Sequence, residues 1–194
     1  LIVQQGSIFW GLMTWSQSGI TNVNAPVWVA DANINQVEEI KPLADTAVTV
    51  VRSVPGVEWA LPLYKGVQRA RLRDGNYEQI ALVGIDSSTL IGRPHTVLEG
   101  NIKDLRSPEA VAIDQLGIER LGGPENIHLG TTFEINDHRV KVVAIVKTQK
   151  SFQNFPFVYT TYERALSVTP EERRKLSYVL ASPVSGVSPE ELAR

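Results

Sequence analysis

Hydrophobic and polar residues alternate most regularly in the stretch GTTFEINDHRVKVVAIV, residues 130–146. Apolar side chains stand at every second position in residues 133–135 and again in residues 140–142, on either side of the pair Asn136 and Asp137. A period of two is typical of a β-strand with one buried face, and the Asn-Asp pair is typical of a turn. The stretch therefore predicts a β-hairpin, and it contains no nucleophile, metal cage or phosphate-binding loop.

The remaining pattern divides the chain into short strands and helices. Strands are predicted at residues 26–30, 57–73, 77–85, 109–114, 155–160 and 176–181. Helices are predicted at residues 3–19, 43–54, 115–121, 162–166 and 170–175. Residues 92–107 are predicted to be rich in loops.

Turn and capping signals mark several boundaries. Residues 74–76, Asp-Gly-Asn, predict a hairpin turn, and Gly66 predicts a β-bulge in the strand before it. Ser188 followed by Pro189 predicts a helix N-cap with proline at the first helical position. Because this helix has barely begun at Arg194, we expect it to continue in a longer protein.

The first 30 residues carry no charge, yet they are too polar for a membrane span of roughly 20 apolar residues. Residues 3–19 form an amphipathic helical pattern, and Trp10 and Trp15 suit a membrane–water interface. We expect this segment to continue a transmembrane helix as it leaves the bilayer. An ordinary N-terminal helix packed on the domain is the alternative.

Composition and motifs argue against an enzyme. Nineteen basic and twenty-one acidic residues give a net charge of −2, which does not suit a nucleic-acid surface, and the absence of cysteine excludes disulfides and thiol catalysis. No phosphate loop follows Gly122 and Gly123, and no Gly-x-Ser-x-Gly motif is present. A calcium-like stretch from Asp31 has Gln36 and Pro42 where glycine and glutamate are needed. We therefore predict no catalytic residue, no metal and no cofactor.

Four motifs in a fixed order suggest a family. Residues 52–63 (RSVPGVEWALPL), 109–114 (EAVAID), 129–146 (LGTTFEINDHRVKVVAIV) and 157–166 (FVYTTYERAL) follow one another along the chain. This succession resembles the MacB-like periplasmic core domain of FtsX-type ABC transporter permeases. The stretch QQGSIFWGLM, residues 4–13, is most similar to the DevC branch.

The resemblance implies an α+β fold in two parts. The pattern of residues along the chain changes near residue 86, which suggests the same division. Residues 1–22 would form a membrane-proximal stalk helix. Residues 23–86 and 171–194 would form a porter-like α/β subdomain, with residues 87–170 inserted as a smaller β-rich subdomain.

The resemblance also implies a function without catalysis. The chain would be the periplasmic part of an inner-membrane permease that transmits conformational change and docks a periplasmic membrane-fusion (adaptor) protein for efflux or export. A separate subunit would bind ATP, and the permease would act as a dimer. A periplasmic ligand-binding or sensor domain of a membrane receptor and a small α+β hydrolase remain as alternatives.

One segment has the composition of a protein interface. Lys150, Phe152 and Phe155 combine a charge with aromatic side chains in an irregular stretch, and aromatic residues often dominate interfaces. The inserted part is expected to lie farthest from the membrane, so these three residues are the candidate adaptor contact. Alternatively, Phe155 and Phe157 straddle a strand and at least one of them belongs to the core.

Overall fold

The structure is a computed structural model that describes residues 20, 22–23, 25–34, 41–72, 75–149 and 153–193. The strands of this part are β1 (Val27–Val29), β2 (Val57–Arg71), β3 (Tyr77–Ile85), β4 (Thr96–Gly100), β5 (Ala110–Asp114), β6 (Thr132–Ile135), β7 (His138–Lys147), β8 (Phe157–Thr161) and β9 (Tyr178–Pro183). The α-helices are α1 (Ala47–Arg52), α2 (Gln115–Arg120), α3 (Tyr162–Val168) and α4 (Pro189–Leu192). Two short 3-10 helices span Ile102–Arg106 and Glu171–Arg173.

Six strands form a closed ring. Hydrogen bonds join them in the order β2, β3, β8, β5, β7 and β6, and β6 returns to β2. The β3–β8 and β5–β7 pairs are parallel, and the other pairs of the ring are antiparallel. β4 pairs with the last residues of β7, on the edge of β7 that faces away from β5 and that pairs with β6 earlier along the strand.

The long strand β2 belongs to two sheets. Its first half, Val57 to Leu63, pairs with β9, which in turn pairs with β1. Its second half, Tyr64 to Arg71, pairs with β3 inside the ring. Helices α1 and α4 cover one face of the small sheet, where their apolar side chains pack with Val27, Val179 and neighbouring residues.

Two hydrophobic cores lie on opposite faces of the ring strands, because successive side chains of a strand point to opposite sides. The first, which we call the inner core, also receives Ala165 and Val168 of α3. Its strand residues are Tyr64, Ala70, Ile80, Leu82, Val111, Ile113, Phe133, Ile135, Val140, Val142 and Val158. The second, the outer core, includes Val23, Leu63, Ala81, Val83, Ile85, Phe157, Tyr159, Tyr178 and Leu180.

The predicted hairpin of residues 130–146 is confirmed as β6 and β7. Asn136 and Asp137 form its turn with φ angles of 47° and 65°, a left-handed conformation that Asn and Asp tolerate better than most residues. The Asn136 Nδ2 donates to Gln68 Oε1 at 2.7 Å and to the Val168 carbonyl at 2.9 Å. Gln68 Nε2 in turn donates to the Tyr64 hydroxyl at 2.6 Å. The turn is thereby tied to β2 and α3 through a polar chain.

The Ser188 helix start is also confirmed. The Ser188 hydroxyl accepts from the Glu191 N–H at 3.1 Å, and Glu191 Oε2 accepts from the Ser188 N–H at 3.0 Å. This reciprocal pair is a capping box, with Pro189 at the first position of the helix.

Three of the local predictions are wrong: two concern the bounds of elements, and the third concerns Gly66. Residues 92–107 contain β4 and a 3-10 helix, because β7 offers an edge with which β4 pairs. The helix predicted from residue 43 begins only at Ala47, since the Leu43 N–H donates to the Leu176 carbonyl at 2.9 Å and forms an isolated bridge.

Gly66 does not mark a β-bulge. It pairs with Leu82 in an unbroken register, and the irregularity in β2 lies instead between Val57 and Trp59. A Cβ added at Gly66 would lie 2.5 Å from the Tyr64 hydroxyl oxygen. The glycine therefore makes room for the tyrosine ring.

The α+β fold class is confirmed. Hydrogen bonds cross the boundary that the sequence suggested near residue 86, because β3 pairs with β8 and β2 pairs with β6. The division into a porter-like part and an inserted part stays a prediction.

Candidate functional site

The three residues predicted as a partner contact are only partly described. Phe155 is half-buried and packs against the outer core. Lys150 and Phe152 lie outside the described residues, so the contact stays a prediction. The N-terminal pattern at residues 3–19 also lies outside them.

The chain that leads into residues 150–152 is fixed by Asn22. The Asn22 Nδ2 donates to the Gln149 carbonyl at 2.8 Å, and the Asn22 Oδ1 accepts from the Gln149 N–H at 2.8 Å. A side-chain amide carries both a donor and an acceptor, so Asn22 pairs with Gln149 as a neighbouring strand would. Because Asn22 is only 6% exposed, both hydrogen bonds are shielded from water.

This pair links two segments that are distant in sequence. The position of residues 150–155 relative to the membrane stays a prediction, and Gln149, just before them, directly contacts Asn22. The reason is topological: β7 leaves the ring next to the place where the chain enters the outer core. Sequence patterns give no signal for Asn22, because an Asn beside Val23 does not indicate a contact 127 residues away.

Val23, the next residue after Asn22, packs the N-terminal chain into the outer core. It is buried, and a Cβ added at Gly92 would lie 3.3 Å from its Cγ1 and 3.0 Å from Ile85. The loop after β3 therefore closes tightly over Val23. An apolar anchor at Val23 and a polar one at Asn22 together hold the N-terminal chain against the ring.

Asp114 fixes the end of β7 from the other side. Its Oδ2 accepts from the Thr148 hydroxyl at 2.9 Å, and its Oδ1 accepts from the Gly117 N–H at 2.7 Å, which caps α2. Burial raises the pKa of Asp114 despite these hydrogen bonds, which favour its charged form. Thr148 and Gln149 are thus both held by buried side chains immediately before residue 150.

Nothing in the described part of the chain forms a metal centre. No three His, Asp or Glu side chains cluster there in an arrangement that could hold an ion. The three histidines, His95, His128 and His138, are all exposed. Across the same residues no helix is long and apolar enough to cross a bilayer.

The fold and these contacts define a class of protein: an α+β domain built on a closed strand ring, with its N-terminal chain anchored to that ring. The chain belongs to the family of MacB-like periplasmic core domains, which it matches over residues 6–194. It is accordingly a periplasmic domain of the kind carried by MacB-like ABC transporter permeases.

Three solved structures share the fold. The chain is 19% identical to the extracellular domain of the noncanonical ABC-type transporter YknZ from Gram-positive bacteria, with 75% of each chain covered and a TM-score of 0.58. The periplasmic region of MacB from Actinobacillus actinomycetemcomitans is 14% identical, with 87% of this chain and 79% of that one covered and a TM-score of 0.58. A domain of a putative permease protein from Porphyromonas gingivalis is 16% identical, with 79% and 73% covered and a TM-score of 0.51. No curated protein sequence matches the chain significantly.

Proposed function

We propose that this domain passes conformational change from the membrane part of an efflux or export permease to a periplasmic adaptor. The observation that carries the proposal is the Asn22–Gln149 pair. This pair joins the N-terminal chain to the residues just before the candidate adaptor contact. The family resemblance implies that the N-terminal chain comes from the membrane. A displacement of residue 22 would therefore move the start of that segment directly.

The proposal includes the partners that the family suggests. The permease would be of the FtsX type and similar to DevC, would lie in the inner membrane, and would act as a dimer. A separate ATP-binding subunit would supply the energy, and a membrane-fusion protein would receive the substrate. The domain itself would catalyse no reaction.

Transmission is tested with Asn22→Ala in the full-length permease, reconstituted in nanodiscs with its ATP-binding subunit and adaptor. Removing the amide breaks two hydrogen bonds to Gln149, while Val23 still anchors the chain. We expect the adaptor to stimulate ATP hydrolysis less than in the wild type, with the adaptor affinity unchanged. Asn33→Ala is the matched control, because Asn33 is exposed and lies on the same N-terminal chain. Full stimulation in a folded Asn22→Ala permease would contradict the proposal.

Docking is tested separately with Phe152→Ala and Phe155→Ala. An exposed aromatic anchor truncated to alanine costs on the order of 2 kcal/mol of binding, roughly thirtyfold in affinity, so we expect Phe152→Ala to weaken adaptor binding with little change in thermal midpoint. Phe155→Ala should lower the midpoint, because Phe155 packs on the outer core. A loss of about 3–5 kcal/mol of stability in Phe152→Ala would instead assign that residue to the core.

A further inference from the structure

A cleft of about 380 Å³ opens beside the middle of β2. Its lining is mostly apolar and includes Pro42, Tyr64 and Val67. The cleft lies where the outer edge of β2 passes from one neighbouring strand to another: β9 pairs with β2 as far as Leu63, and β6 begins to pair at Ala70. Between these two points no strand of the described chain covers the edge.

Side chains cap most of this uncovered edge. The Ser177 hydroxyl accepts from the Lys65 N–H at 2.9 Å and donates to the Lys65 carbonyl at 3.0 Å. One residue before the β6 pairing, the Asn136 N–H donates to the Arg69 carbonyl at 3.0 Å, and Asn136 Oδ1 accepts from the Arg69 N–H at 3.4 Å. Lys65 and Arg69 therefore direct their main-chain groups away from β3, as alternate residues of an antiparallel strand do.

Val67 lies between them and directs its main-chain groups the same way. Its cross-strand partner Ala81 gives its N–H to the Pro156 carbonyl at 2.8 Å, on the far side of β3. The N–H and carbonyl of Val67 consequently face the cleft, where no described residue pairs with them. Main-chain N–H and carbonyl groups of a strand are usually hydrogen-bonded. At Val67 both groups are open to a new partner, so this edge can form one additional β-bridge. The Val67 side chain is 37% exposed and reachable from solvent.

The mouth of the cleft is basic. Arg173 and Lys175 lie on its rim with Glu172, and Lys65 adds a further basic residue to the lining. Neither Arg173 nor Lys175 forms an ion pair within the described residues. The positive balance favours an occupant that carries a carboxylate.

We propose that this cleft docks an extended acidic peptide segment of a partner protein, which adds one β-bridge to β2 at Val67. The bridge supplies main-chain recognition, the apolar lining receives one side chain of the peptide, and Arg173 and Lys175 receive its carboxylates. The cleft is distinct from the Asn22–Gln149 pair, so neither proposal depends on the other.

The test is a titration of the ¹⁵N-labelled chain with two synthetic hexapeptides, one of alternating valine and glutamate and one of alternating valine and lysine. We expect the acidic peptide to shift the Val67 amide resonance and to slow its hydrogen exchange. The Gly66 amide is the internal control, because it faces β3 and should be protected with or without peptide. An unchanged Val67 amide at saturating acidic peptide would overturn the proposal.

Three variants separate the components of binding. Val67→Pro removes the donor without touching the β3 ladder, and Arg173→Glu reverses one rim charge; each should weaken binding of the acidic peptide about tenfold. Lys103→Glu makes the same charge change at an exposed residue elsewhere and should have no effect. Equal binding of the basic peptide would overturn the charge assignment, and equal binding of free glutamate would overturn the peptide assignment. If Val67→Pro does not fold, Arg173→Glu and the Val67 exchange rate still decide the question.

Discussion

Replacing Asn136 by glycine should destabilise the chain although the turn itself favours glycine. Asn136 has a φ of 47°, a conformation that glycine adopts without strain. The substitution therefore keeps the backbone conformation of the turn and removes only the side chain. The variant loses the two hydrogen bonds from Nδ2 to Gln68 Oε1 and to the Val168 carbonyl, and also the longer, exposed one at 3.4 Å that Oδ1 accepts from the Arg69 N–H.

The magnitude follows from burial of the acceptors. Gln68 is 2% exposed and lies inside the strand ring, so its Oε1 is left without a donor in a place that water reaches poorly. A buried acceptor without a partner costs about 1–3 kcal/mol, and the lost bond to Val168 adds about 1 kcal/mol. Because Asn136 is only half-buried, water can replace part of the loss. We expect the free energy of unfolding to fall by about 2–3 kcal/mol.

Asp137→Gly provides the matched control. Asp137 also has positive φ, at 65°, but it is exposed and no hydrogen bond of its side chain is found among the described contacts. Its replacement should change stability by no more than about 0.5 kcal/mol, as surface substitutions usually do. Urea unfolding followed by tryptophan fluorescence measures both variants. Equal stabilities for Asn136→Gly and Asp137→Gly would refute the idea that the polar chain holds the turn.

Two further predictions concern stability. Burial raises the pKa of Asp114 above its ordinary value of 3.8, so the folded state binds this proton more tightly than the unfolded chain does. Wild-type stability should therefore fall as pH rises from 3.8 through the higher pKa of the folded state. Asp114→Asn keeps a cap for α2 and should gain stability relative to the wild type as pH rises above 3.8; a difference that is constant with pH in urea unfolding would contradict this. Gly84→Ala should cost about 1–3 kcal/mol, because the new Cβ would lie 2.5 Å from the Ala165 Cβ and push α3 off β3. The thermal midpoint of Gly84→Ala is compared with that of Gln79→Ala, a control at an exposed position of the same strand. Equal midpoints would show that α3 moves away from β3 without a cost in stability.

Local signals in the sequence predict the elements whose causes are local. The Asn136–Asp137 turn is specified by its own residues, and so is the Ser188 capping box. The strand at Tyr77–Ile85 matches its predicted bounds, because the apolar residues 80–85 and the turn signal at residues 74–76 both indicate a strand there. In each case neighbouring residues contain the reason for the structure.

The features that sequence patterns miss depend on distant partners. All five residues of β4 are largely exposed and show no distinctive pattern, and they form a strand because β7 lies beside them. Asn22 acquires its role only when β7 ends next to it, and Gly66 is required by the ring of Tyr64 rather than by a bulge. The closure of the ring by β6 follows from pairings to two strands at once, which no local pattern encodes.

Closure of the strand ring also bears on aggregation. Among the described strands, β1, with three residues, and the first half of β2 are the two edges of the small sheet, and in β2 the Ala60 carbonyl accepts from Arg52 Nη2 at 2.7 Å. The larger sheet ends at β4, whose pairing is broken between Val97 and Glu99 and which ends at Gly100 with a φ of 76°. Short or irregular edges of this kind are poor templates for another chain, and the vacancy at Val67 has room for only one bridge. In the permease dimer proposed above, the described strand edges of two neighbouring copies would therefore resist fusing into a continuous sheet.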